Sequence, residues 1–91
     1  MEPARFEVTD HFFITGRGAV VVGHITQGTF RIGMTVSVPD ERCSRLTISG
    51  IESLDNLREH QFWNSLLFRE NPSLEFLKRV FPVGWVLQAD A

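Results

Sequence analysis

The sequence predicts an all-β protein, a small closed antiparallel β-barrel of about six or seven strands with one short helix near residues 72–80. Three observations lead there. Apolar residues alternate with polar ones over much of the chain, turn-forming residues recur every ~8–12 positions, and only the stretch after Asn71-Pro72 carries helix signals. A chain of 91 residues predicts one domain, 1–91, with a single core that eight Phe and two Trp help to fill.

Taken in order, Phe6, Val8, Phe12 and Ile14 fall on even positions with Glu7, Thr9 and Thr15 between them, which is strand periodicity; Phe13 breaks it. Thr15-Gly16-Arg17-Gly18 predicts a tight turn, and the β-branched run Ala19 to Ile25 a strand buried on both sides, completing a hairpin. Gly23 inside that strand predicts a bulge or a sharp bend. After a second turn at Thr26-Gln27-Gly28, Met34, Val36 and Val38 alternate until Pro39-Asp40, and a polar loop follows to Ser44. Leu46 and Ile48 share a parity that Ile51 does not, so a β-bulge is expected at Gly50. Residues 52–61 are polar enough to be a loop or an exposed edge, with a strand expected from Phe62 through Trp63, Leu66 and Leu67 to Phe68. Asn71 as N-cap and Pro72 as first helical residue open the helix, Leu74, Leu77 and Phe81 share its apolar face, and Lys78 and Arg79 lie near its C-terminus. Pro82 stops it, and Val83 to Gln88 form the last strand.

The glycine-rich "GRGAVVVG" at 16–23 poses a functional question. A dinucleotide fingerprint has a third glycine where Val21 stands, a P-loop needs Gly-Lys-Ser/Thr, and both lead into a helix, whereas a valine strand follows here. These glycines turn the chain instead, by taking φ values that a Cβ resists. Nine basic against eleven acidic side chains give a net charge of −2, so polyanion binding requires a local patch. The single Cys43 forms no internal disulfide and is read as a plain thiol. No apolar run reaches the ~18 residues of a membrane span. The start "MEPARFEV" lacks the basic and apolar regions of a secretory signal, so a cytoplasmic protein without membrane contact is expected.

The pattern Phe12-x-Ile14-x-Gly16-Arg17-Gly18-x-Val20-Val21-x-Gly23, followed by Gly28 and Gly33, resembles the second domain of translational GTPases, elongation factor Tu most closely. The likeness continues through "LTISGIE" and "VGWVL" and runs from about Phe6 to Leu87. It implies an antiparallel barrel that, in those factors, follows the GTP-binding domain and contacts the aminoacyl end of transfer RNA, the ribosome or the GTPase domain. The resemblance matches Arg17 to the arginine of the family's G-R-G turn, and Glu52 to a glutamate beside the terminal adenosine. Val22, His24 and Gln27 stand where those factors carry threonine and two arginines, so a hydroxyl and positive charge are missing from that face. The chain has neither a P-loop nor Asn-Lys-x-Asp, so it is not expected to bind or hydrolyse GTP. Met1 and the end at Ala91 favour a complete small protein acting as a stand-alone barrel.

No catalytic residue, cofactor or metal site is expected. His11, His24 and His60 have no ligand spacing and are read as surface or strand-end histidines, and a Cys43–His60 pair lacks a third group to orient the base. Arg42, Arg45, Arg58, Arg69, Lys78 and Arg79 are read as solvated charges. The candidate binding surface comprises Arg17, Glu52, His24, Phe13, Trp63 and Trp85, the three aromatic residues because rings outside the core mark partner surfaces. The expected function is a non-catalytic binding module for a protein partner or a second copy of itself. RNA or ribosome binding in translation, with a separate GTPase as partner, is the alternative.

Overall fold

The computed structural model describes the backbone of residues 3–39, 45–56 and 61–90 and the side chains of 3–39, 45–53 and 63–90. Among these, the order is β1 (Ala4–Ile14), β2 (Gly18–Gln27), β3 (Thr35–Ser37), β4 (Arg45–Asn56), β5 (Gln61–Phe68), α1 (Leu74–Val80) and β6 (Val86–Asp90). The strands pair antiparallel in the spatial order β1-β2-β5-β4-β3-β6, and β6 returns to β1 through Phe6↔Leu87 and Glu7↔Val86, so the sheet closes. Each described strand thus has a neighbour on both sides for at least part of its length.

Residues of one parity on each strand fill the interior: Phe6 and Val8 on β1, Val21 on β2, Val36 on β3, Ile48 on β4 and Leu66 on β5 are all within 1% of complete burial. Leu77 and Phe81, also fully buried, join this core from α1 and its C-cap. Each such side chain contributes about 1.5–3 kcal/mol by leaving water. Phe6 and Phe30 meet edge to face, with ring centroids 5.8 Å apart at 71°.

The hairpin forms as expected, with Gly16 at φ 84° and Gly18 at φ 108° in its turn and a strand, not a helix, following. Gly18 meets a second demand, since a Cβ there would lie 2.5 Å from Asn71 Oδ1. The bulge expected at Gly50 is present: the β4–β5 register shifts between Ile48 and Gly50. Near Gly23 the extra residue belongs to the opposite strand. The β1–β2 register shifts between Val8 and Asp10, and a Cβ on Gly23 would run into the Glu7 carbonyl.

That bulge corrects the expected facing of β1. Beyond Val8 the odd position His11 turns inward and is buried, while Phe12, expected inside, is 48% exposed. Three boundaries also differ. Residues 52–56 and 61 belong to strands, with Asn56 opposite Gln61, because the ladder is made by main-chain groups and a polar sequence does not interrupt it. The N-cap of α1 is Ser73, whose hydroxyl accepts from Phe76 N–H at 3.1 Å, while Asn71 takes φ 52°. Asn71 precedes Pro72, and the residue before a proline is held out of the helical region. The last strand begins at Val86: Pro82 to Trp85 form a turn closed by Trp85 N–H to Pro82 O at 2.9 Å. Asp40, Arg42, Cys43, Arg58 and His60 lie outside the described residues.

Candidate binding surfaces

The barrel brings four of the six candidate residues to one outer face. Val22, Ser65 and Glu52 stand side by side across β2, β5 and β4. The period of two puts His24 and Trp63 on the same side, two residues further along their strands. Arg17, fixed in its turn by N–H to Ile14 O at 2.9 Å, pairs with the Glu52 carboxylate. The two side chains are 52% and 32% exposed, so the pair contributes at most about 1 kcal/mol. The His24 and Trp63 rings stack with centroids 4.3 Å apart at 31°. Ser65, fully buried between these residues, has a hydroxyl with no hydrogen-bond partner among the described residues. A polar residue at an outward strand position gives no sequence signal of such burial.

Phe13 and Trp85 stand elsewhere. Phe13 faces the same way as its partner Ala19 but is 65% exposed, so its ring lies past the packed interior. Trp85 follows α1 in the turn that leads into β6. Two hydrogen bonds pin this turn to β1, Gly84 N–H to Val8 O at 2.8 Å and Val8 N–H to Trp85 O at 2.9 Å. The indole is therefore held on a fixed backbone although it is 40% exposed, and its neighbours Val83 and Val86 are exposed too. A groove of about 200 Å³ lies on one side of it, between Pro39, Val80, Pro82 and Arg79. Another of about 290 Å³ runs from Pro39 and Trp85 along β6 to Asp90. Trp85 is legible in the sequence, whereas the grooves are not, because they depend on where β3 leaves β6.

Of the histidines, His11 is neither on the surface nor at a strand end, the places expected of it, but inside β1. It is buried with Nε2 2.6 Å from the Phe81 carbonyl, so the ring donates its Nε2 proton and ties β1 to the end of α1. Glu70 accepts from Thr47 N–H at 2.6 Å. Burial pushes its pKa up, but the hydrogen bond from Thr47 and the nearby Arg69 charge outweigh this and hold it below the usual carboxylate value. Among the described residues no group of three or more His, Cys, Asp or Glu is placed to hold a metal ion, and no helix is long and apolar enough to cross a membrane.

These features define a closed six-stranded antiparallel β-barrel with one short helix and two surfaces of different chemistry. No protein-family model matches the chain, and no solved structure matches it.

Proposed function

We propose that this barrel is a non-catalytic binding module of the kind found as the second domain of translational GTPases, and that it works by taking a protein partner, or a second copy of itself, on the surface around Trp85. The observation that carries this is the Trp85 indole, carried on a backbone that two hydrogen bonds pin to β1, 40% exposed between two grooves and flanked by Val83 at 66% and Val86 at 42% exposure. Exposed apolar groups on a fixed backbone lose little freedom when covered, which favours association. A photo-crosslinking residue placed at Val83 is expected to give discrete protein adducts in cells, while the same residue at Arg69 gives none. Adducts at neither position would contradict the proposal.

A second reading has its own support in the stacked His24 and Trp63 rings on the face where Arg17 meets Glu52, since aromatic faces and a cation suit an unpaired RNA base and its phosphate. Glu52 already engages Arg17 and the net charge is −2, which ranks this reading second. Salt-sensitive transfer RNA binding lost on Arg17→Ala would reverse the order.

A further inference from the structure

The β3–β6 ladder that closes the barrel consists of two pairs, Thr35↔Asp90 and Val36↔Ala89. The pairs that would come next in register, Ser37 with Gln88 and Val38 with Leu87, are not formed; these residues line the 290 Å³ groove instead. Past Ala89, then, the edge of β6 that faces β3 has no ladder partner among the described residues, and a wedge opens between two strands toward Trp85 and Pro39. Backbone edges of this kind accept an added strand, with main-chain hydrogen bonds giving affinity and side-chain pockets giving choice.

The charges at the two ends of this path are opposite. Past Trp85, the 200 Å³ groove is lined by Arg79, whose guanidinium lies over the Phe76 ring at 5.3 Å from its centroid. At the far end stands Asp90, exposed and without an ion pair to a described residue, while nearby Arg45 donates to Thr35 Oγ1 at 2.9 Å. Between them the walls are formed by Trp85, Pro39, Val38 and Val86. The free edge runs from Trp85 to Gln88, three steps or about 10 Å of extended chain, and the grooves continue past it to Arg79 at one end and Asp90 at the other, so a segment of about six or seven residues spans the path.

We propose that the wedge between β3 and β6, continued over Trp85 to Arg79, is the docking site of an extended peptide segment of a partner protein, apolar in its middle, with an acidic residue at the Arg79 end and a basic residue at the Asp90 end. This rests on the Trp85 surface being the binding surface, and it adds the partner's form and charge order. Main-chain pairing along β6 sets the direction in which the segment lies, the apolar centre covers the indole, and the end charges then select the segment whose charge order matches.

Two fluorescent peptides with capped termini test it, Asp-Leu-Ser-Val-Ser-Leu-Arg and its charge-exchanged counterpart Arg-Leu-Ser-Val-Ser-Leu-Asp, titrated with the protein at low salt by anisotropy. The wild type is expected to prefer one of them by about fivefold, as a few rim charges allow, and the double variant R79E/D90K to prefer the other. Trp85→Ala should weaken both, and circular dichroism confirms that the variants remain folded. Equal binding of the two peptides, or a preference that the double variant leaves unchanged, overturns the charge order while leaving the Trp85 surface as a binding surface if Trp85→Ala still weakens them. Binding of neither peptide overturns the proposal as a whole, and crosslinking from position 83 then decides separately whether the surface is used.

Discussion

Replacing Gly23 by alanine puts the barrel's tightest backbone approach to the test. The added Cβ would meet the carbonyl oxygen and carbon of Glu7, with Phe6 Cε1 2.9 Å away. These obstacles are mainly main chain, held by the Glu7↔His24 and Val8↔Gly23 pairs and by Glu7↔Val86 on the other side, so relief requires β1 to move against two neighbours at once. Overpacking a core costs about 1–3 kcal/mol, and an obstacle that cannot rotate away belongs at the upper end. For a domain of this size, about 2–3 kcal/mol lowers the melting temperature by roughly 10–20 °C. Gly50→Ala supplies the contrast: its Cβ would first meet Leu67 Cδ1 at 3.2 Å, the end of a side chain that can turn, so its cost should stay below about 1 kcal/mol. Thermal melts and urea titrations followed by circular dichroism measure both. A Gly23→Ala protein that melts within a few degrees of wild type, or no lower than Gly50→Ala, would refute the packing of β1 on β2 described above.

Two further outcomes follow from buried or hydrogen-bonded polar groups. Ser65→Ala removes a buried hydroxyl that has no partner among the described residues, so urea titration should show no loss of stability and a gain of up to about 1 kcal/mol; a measurable loss would mean the hydroxyl is bonded. Glu70 has a pKa below its ordinary value, so its contribution is complete above the unfolded carboxylate value of about 4.3 and is lost as pH falls through the lower folded value. The stability difference between wild type and Glu70→Gln should therefore shrink as pH drops from 6 toward 3, and because the group is exposed it should not exceed about 1 kcal/mol; a difference that is flat with pH contradicts the Thr47 hydrogen bond.

Much of the architecture was legible because the barrel writes its turns and bulges into residue type. Gly16 and Gly18 marked the hairpin, and the phase change from Ile48 to Ile51 located the Gly50 bulge. The β1 bulge was not legible: Phe12, Phe13 and Ile14 are all apolar, so alternation no longer distinguishes the faces, and the extra residue sits opposite Gly23 rather than on the glycine-bearing strand. The cap of α1 was misplaced because Asn71 and Ser73 are both good capping residues, and only the geometry around Pro72 decides between them. The candidate residues were recognisable one by one. Their division into an Arg17–Glu52–His24–Trp63 face and a separate Trp85 surface depends on strand pairings far apart in sequence, which no local pattern encodes.

Amide chemical shifts followed by NMR during titration, once with the preferred charged peptide and once with a short single-stranded RNA, compare the two surfaces directly. The peptide is expected to move the amides of Val83 to Gln88, leaving those of Arg17, His24, Glu52 and Trp63 in place, and RNA to move few at physiological salt. Shifts confined to Arg17, His24, Glu52 and Trp63 on adding RNA, with the Trp85 region silent toward the peptide, would contradict this.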